Sequence, residues 1–512
     1  MNNKPNILFI LADDMGAWAM RNAGNPDVIT PHLDGLAREG IRFDNFFCVS
    51  PVCSPARASI LTGTIPSRHG IHDWLARGNI EGGQKNKKKF YESRLYNLIP
   101  NCRETVPQQY LHNITTYTSL LAQVGYQCCL SGKWHLGDSC TPQQGFERWY
   151  TIATGGGSYM NPRVAEGSKI CYPEKYITDL ITENAVVNLN QCAGSSRPFY
   201  LSVHYTAPHS PWDKHEHPAD VWALYEGNAF GNTPEEKEYH PCFTFSAPFG
   251  RGDKRKALLR GYYSAITAMD AGIGKIIEAL KSNGLYDNTI IIFTSDNGMN
   301  MGHHGLFGKG NATFPQNMYD TSVKVPFLVC FPKAIRGGRT ICNLYSHYDL
   351  MPTLMDYLDL QGEVIQKLPG RSFADILRGK EAGADTGSIV AFSEYGYSRM
   401  IRNKRYKLIT RGGLYYDEFY DLENDPGEKN NLIKDKRHRE TIGSLQNELD
   451  GWFLEFGDRH YDGRKYKVLG HGQLYDYDCG KKARFTGFVI HKNPLRAARH
   501  IAKYRTRRQT AR

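Results

Sequence analysis

The segment Asn6-Ile-Leu-Phe-Ile-Leu-Ala12 is apolar after its first residue, and Asp13-Asp14 follow it at once. A strand with one face in water alternates apolar and polar residues, so an unbroken run marks a strand covered on both faces. Similar runs recur at Phe199–Val203, Thr289–Phe293 and Val325–Phe331, and helical patterns occupy Pro31–Glu39, Thr115–Val124, Tyr176–Asn190 and Ala257–Ser282. Strands alternating with helices imply an α/β fold with a large, mostly parallel, doubly wound sheet flanked by helices. Ligands of such sheets bind beyond the carboxyl ends of the strands. Asp13-Asp14 and Asp296-Asn297 stand at two of those ends.

The chain of 512 residues has room for more than this sheet. From about residue 385 short segments resembling antiparallel strands appear, followed by a helix near Arg437–Phe456. The expected organisation is a catalytic α/β domain over 1–380, an α+β subdomain over 381–460 and a basic extension over 461–512. Arg77–Gln109 is polar and irregular and reads as an insertion near the site. With 40% apolar and 22% charged residues the chain is not a disordered one. No apolar run approaches the roughly 20 residues that span a bilayer, so no membrane partner is expected.

The net charge of +11 suggests a polyanion partner until it is located. His491–Arg512 holds eight Lys or Arg and no acid, which leaves +3 for the other 490 residues. The basicity belongs to a tail, and no nucleic-acid partner is expected for the folded body. The twelve cysteines form no CxxC pair and several lie in apolar surroundings, so they read as reduced thiols. Met1-Asn-Asn-Lys-Pro5 leaves no space for a signal peptide before the first strand. The expectation is a cytoplasmic protein, or one whose leader has been removed. The sequons at Asn113 and Asn311 then read as chance matches.

The most informative segment is Cys53-Ser-Pro55-Ala-Arg57, followed after four residues by Thr62-Gly63. Asp13, Asp14, Asp296 and Asn297 offer three carboxylates and an amide oxygen, a hard donor set that suits Ca²⁺ or Mg²⁺ and not zinc. Helix capping by Asp14 and a turn at Asn297-Gly298 are the structural alternatives. Gly132-Lys133-Trp-His135-Leu-Gly137, Thr206-Ala-Pro-His209 and Gly308-Lys309-Gly310 add cations and histidines.

Together these segments resemble the type I sulfatases of the alkaline phosphatase superfamily, whose signature is C/S-x-P-x-R followed by T-G. The resemblance runs from residue 6 to about residue 456. It implies that Cys53 is oxidised to formylglycine (3-oxoalanine) by a formylglycine-generating or radical-type maturating enzyme. A hydrated aldehyde carries two hydroxyls on one carbon, one to attack sulfur and one to expel sulfate. It further implies that Asp13, Asp14, Asp296 and Asn297 bind Ca²⁺ in preference to Mg²⁺. Arg57 and His135 belong to the catalytic group, Lys133 and Lys309 contact sulfate, and His209 acts at the bridging oxygen. Asp73 and His304 are further substrate-binding candidates, with packing or capping as their alternatives; His69, His72 and His303 are weaker ones.

The expected activity is hydrolysis of sulfate monoesters, on sulfated carbohydrate or a sulfated small molecule. The alternative within the superfamily is a phosphonate monoester or phosphodiester hydrolase. A different class, a non-catalytic binder of anionic glycan or nucleic acid through the tail, conflicts with the intact site residues. The sugar, the sulfated position and the oligomeric state are not legible in the sequence.

Overall fold

The first apolar run is strand β1 (Asn6–Ala12), and every residue of it is buried. The computed structural model describes residues 4–75, 79–80, 107–364, 366–383, 387–394, 397–465, 475–476 and 481–482. The Arg77–Gln109 insertion, apart from 79–80 and 107–109, and the basic tail from His491 therefore lie outside the described residues.

Beyond β1, the main sheet contains β2 (Ile41–Phe47), β3 (Gln127–Lys133), β4 (Arg148–Ile152), β5 (Val164–Glu166), β6 (Lys169–Cys171), β7 (Phe199–His204) and β8 (Thr289–Ser295). A hairpin of β9 (Asn300–Met301) and β10 (Phe307–Gly308) intervenes before β11 (Lys324–Val325), β12 (Phe327–Cys330) and β13 (Arg339–Ser346). The order of the eleven-stranded sheet is β11-β2-β12-β8-β1-β7-β3-β4-β5-β6, with β13 paired to β2. Its centre, β8-β1-β7-β3-β4, is parallel throughout. The run at Val325–Phe331 departs from that direction, because β12 is antiparallel to both β8 and β2. An unbroken apolar run reports burial of both faces, and burial is the same for either direction.

Two adjacent cysteines show how the sheet is covered. Cys128 Sγ lies 3.7 Å from the carbonyl of Thr118, in the helix Tyr117–Gln123, whereas Cys129 Sγ lies 3.8 Å from Cys192 Sγ, in the helix Ile177–Ala193. Neighbouring side chains on a strand point to opposite faces, so these helices cover the two sides. Among the described residues no helix is long and apolar enough to cross a membrane.

Beyond the large sheet, β14 (Ile389–Ser393), β15 (Ser398–Arg402), β16 (Tyr406–Thr410) and β17 (Glu418–Asp421) form an antiparallel sheet in chain order. The helix Arg439–Phe456 buries Leu445, Leu449 and Phe453, a stripe of four-residue spacing, against it. This second core also takes in Val49 and Ile65, which flank the helix that begins at Cys53. The amide of Phe392 donates to the carbonyl of Val49 at 2.8 Å. The small sheet thus braces both ends of the helix that carries the signature motif.

Candidate active site

Four neighbouring parallel strands, β8, β1, β7 and β3, end on the same edge of the sheet. Strands in a sheet lie about 4.8 Å apart, so residues just past these ends are brought within side-chain reach. Asp296 and Asn297 follow β8, Asp13 and Asp14 follow β1, and Lys133 closes β3 with His135 two residues on. Asp14 turns into the left-handed region at φ 65°. Its amide donates to Asp296 Oδ1 at 3.1 Å, and its carbonyl accepts from Tyr262 Oη at 3.0 Å. An Asp tolerates that backbone region better than most residues do.

The fifth contribution is the helix Cys53–Thr62, buried at all ten positions and ended by Gly63 at φ 61°. Cys53 is its first residue, so the positive end of the helix faces the site and favours an anion there. Arg57, one turn on, lies along the acids: Nε to Asp296 Oδ2 is 2.9 Å and Nη2 to Asp13 Oδ1 is 3.8 Å. Lys133 Nζ meets Asp13 Oδ2 at 2.5 Å, and Lys309 Nζ contacts both Asp14 Oδ1 and, at 2.7 Å, Cys53 Sγ. All of these side chains are buried.

The carboxylates of Asp13, Asp14 and Asp296 can each bring an oxygen within 4.8 Å of the others. Asn297 Nδ2 donates to Asp14 Oδ1 at 2.8 Å, and its Oδ1 is buried with no hydrogen-bond partner among the described residues. Three carboxylates and one unpartnered amide oxygen, all hard donors, fit a divalent cation of the Ca²⁺ or Mg²⁺ kind. The arrangement could hold such an ion.

Burial pushes the Cys53 thiol up to about 12, against the pull of Lys133 and Lys309 and with Asp13 and Asp14 adding to the rise. As a plain cysteine it is a protonated thiol at neutral pH and a poor nucleophile. Burial opposes the charge on Lys309, but Asp14 and Cys53 outweigh it and hold the ammonium well above its usual value. Burial raises the Asp14 carboxyl, yet Lys309 and His209 leave it below the ordinary range.

The histidines divide by environment. His135 sits at φ 57°, and burial, with Lys133 and Arg57, holds it neutral. Its Nε2 is 3.1 Å from the carbonyl of Leu75, which only an N–H can satisfy; Nδ1 is then a buried acceptor with no partner among the described residues. His209 is more open, with a quarter of its side chain exposed. Its Nδ1 donates to the carbonyl of Ser210 at 2.6 Å, and its Nε2 stands 3.7 Å from Asp14 Oδ2.

Contacts and electrostatic coupling thus join Cys53, Arg57, Asp13, Asp14, Asp296, Asn297, Lys133, His135, His209 and Lys309. Asp73 is fully buried, with Oδ1 on the amide of Trp74 at 2.8 Å and Oδ2 without a partner among the described residues; burial raises it to about 7, with the Trp74 amide and Lys309 acting in the opposite sense. His304 stacks on Tyr319, ring centres 3.8 Å apart, and among the described residues this ring contact is not with the Cys53 centre.

Three supporting residues escaped the sequence reading. His204, also at the end of β7, donates from Nδ1 to the carbonyl of Lys133 at 2.9 Å and accepts from Ser202 Oγ at 2.7 Å. Asn317 Nδ2 holds the carbonyls of Lys309 and Gly310 at 3.1 Å each, and Tyr262 holds Asp14 as above. His204 carried the same signal as Asp13 and Asp296, a polar residue at a strand end. The other two carried none: Tyr262 is 248 residues from Asp14, and Asn317, though only eight residues from Lys309, lies in no recognisable motif.

Comparison with known proteins places the chain. The family model described as sulfatase matches residues 5–360, and one described as N-sulphoglucosamine sulphohydrolase, C-terminal matches residues 302–453. The chain is 28% identical to an N-acetylglucosamine-6-O-sulfatase of Bacteroides thetaiotaomicron, across 92% of this chain and 89% of that one. It is 30% identical to an ulvan-active sulfatase of Formosa agariphila, across 93% and 86%. A solved protein in complex with its substrate D-glucosamine-2-N,6-O-disulfate shares the fold, with a TM-score of 0.72, 24% identity and coverage of 91% and 100%.

Proposed function

This chain belongs to the sulfatase family and is a sulfuric ester hydrolase, and from that premise we propose that it removes sulfate from a sulfated carbohydrate through formylglycine formed at Cys53. The observation that carries the reading is the meeting of Cys53 Sγ with Lys309 Nζ at 2.7 Å, beside three buried carboxylates and Lys133. A sulfate ester is an anion that gains charge on its leaving oxygen, so fixed cations are needed where that charge develops. The thiol held up to about 12 supports the oxidised form as the working one. Formylglycine, once hydrated, supplies one hydroxyl to attack sulfur and a second to expel sulfate. A formylglycine-generating or radical-type maturating enzyme is the partner this requires.

In this reading Asp13, Asp14, Asp296 and Asn297 would hold Ca²⁺, which would offset the charge of the carboxylates and favour the sulfate anion beside residue 53. Lys133 and Lys309 bind the sulfate oxygens. His135, neutral and with Nδ1 bare, accepts a proton or hydrogen bond. His209, open to solvent on one side, protonates the departing sugar oxygen. Arg57 fixes Asp296 and, through the carbonyl of Lys133 at 2.9 Å, the end of β3. The named relatives, one acting on an N-acetylglucosamine 6-O-sulfate and one on ulvan, support a carbohydrate substrate.

The test is a screen of defined sulfated mono- and disaccharides, glucosamine 6-sulfates among them, with sulfate release followed by chromatography. Cleavage of at least one sugar sulfate in preference to phenylphosphonate esters is expected. Faster turnover of the phosphonates than of every sulfate would overturn the assignment of substrate.

A further inference from the structure

The loop after β4 carries three consecutive glycines, Thr154-Gly155-Gly156-Gly157-Ser158. Its backbone runs against both histidines of the centre. A Cβ added to Gly155 would stand 2.2 Å from His135 Nε2, and one added to Gly156 would stand 3.4 Å from His209 Cε1. At Gly155 the requirement for glycine is therefore close approach. Gly155 and Gly156 are half-buried and Gly157 is exposed, so the loop lies between the histidines and solvent. Among the described residues no backbone carbonyl accepts from the N–H of Gly155, Gly156 or Gly157. These donors remain available to the oxygens of a bound molecule.

The far end of the loop is tied down by one carboxylate oxygen. Glu216 Oε2, on a buried side chain, accepts from Ser158 Oγ at 2.8 Å, Tyr159 N at 2.7 Å and Met160 N at 3.4 Å. Tyr159, also buried and stacked on Tyr176, donates its hydroxyl to the carbonyl of His209 at 2.7 Å. Glu216 therefore holds the glycine segment, and the next residue along holds His209. Glycine-rich backbone loses much conformational freedom on ordering, and an anchor made in advance lowers that cost at the moment of binding.

We propose that Thr154–Tyr159 is the wall of the pocket for the alcohol half of the ester, with Glu216 as the positioning residue that sets this wall against His209. The glycine N–H groups then take hydroxyl or further anionic oxygens of the sugar. The inference rests on the sulfatase reading above and adds to it the element that selects the sugar.

Glu216→Ala, Glu216→Gln and Gly156→Ala test it, each compared with wild type on 4-nitrophenyl sulfate and on the sugar sulfate cleaved fastest in the screen. The sugar makes contacts that the flat aryl group lacks. Glu216→Ala should thus lose at least about tenfold more kcat/KM on the sugar than on the aryl ester, mainly through KM. Glu216→Gln keeps an oxygen acceptor and should recover most of that loss. Gly156→Ala, whose methyl fits beside His209, should shift the same ratio in the same direction even if Glu216→Ala does not fold. Equal fractional losses on both substrates, or an unchanged ratio in Gly156→Ala, would overturn the proposal while leaving the sulfatase reading intact. A wild type verified to carry formylglycine that releases sulfate from neither substrate would overturn both.

Discussion

At Cys53 burial and local charge oppose each other, and burial wins: the thiol is pushed up to about 12 although Lys309 Nζ is 2.7 Å away. A plain cysteine there has little thiolate to offer, so activity should track oxidation. Peptide mass spectrometry of active protein should find residue 53 lighter by about 18 Da, or near its original mass when hydrated, as thiol-to-aldehyde conversion requires. Cys53→Ala should abolish turnover with the fold intact, and full activity in that variant would end the reading. His209 admits a sharper test. General acid catalysis is worth about 10²–10⁴-fold and matters most for a basic leaving group. His209→Ala should cost that much on a sugar sulfate and far less on 4-nitrophenyl sulfate, whose phenolate leaves unaided. Equal losses would instead make His209 a sulfate-binding residue.

Among the elements, the helix Pro31–Glu39 depends on a distant one. Its N-cap Thr30 makes no side-chain cap, and Asp270 in the helix Asp253–Ser282 supplies it, accepting from Leu33 N at 2.8 Å and His32 N at 3.1 Å. Burial pushes Asp270 up to about 7, although those two amides pull it down. Between its ordinary value and 7 the folded state binds the extra proton. Its contribution to stability is therefore full near pH 4 and is lost as pH rises to about 7. Asp270→Asn should flatten this part of the pH dependence of unfolding free energy by an amount on the order of a few kcal/mol. An unchanged curve would show that the carboxyl is already ionised in the fold. The cap itself should persist in that variant, since an amide oxygen still accepts, whereas Asp270→Ala should cost about 1–2 kcal/mol.

For the whole molecule, the acidic cluster that could hold a cation joins the ends of β1 and β8, two central strands. A cation bound only by the folded state stabilises it by mass action, about 2.7 kcal/mol when free cation is 100 times Kd. Chelation should lower Tm and remove activity, and excess Ca²⁺ should restore both. Asp296→Ala should do the same as chelation and respond little to added Ca²⁺. Thermal scans insensitive to chelator and cation alike would remove the metal from the account.

The large sheet was legible because burial on both faces writes itself as unbroken apolar runs, and the acids at the ends of β1 and β8 marked the site's edge. Cys53, Lys133, His135, His209 and Lys309 stood out because each sits in a short local motif. Strand direction was not legible at β12, since an apolar run is the same read either way. β2 also escaped, because its alternation of buried and half-buried residues lacks an unbroken run. Nor could spacing show that Tyr262 and Glu216 hold Asp14 and the glycine loop. Those contacts join residues brought together only when the strands take their order in the sheet. The chain's residue types determined which chemistry is possible; the order β8-β1-β7-β3 decided which of those residues meet, because lateral neighbours in a parallel sheet are distant in sequence.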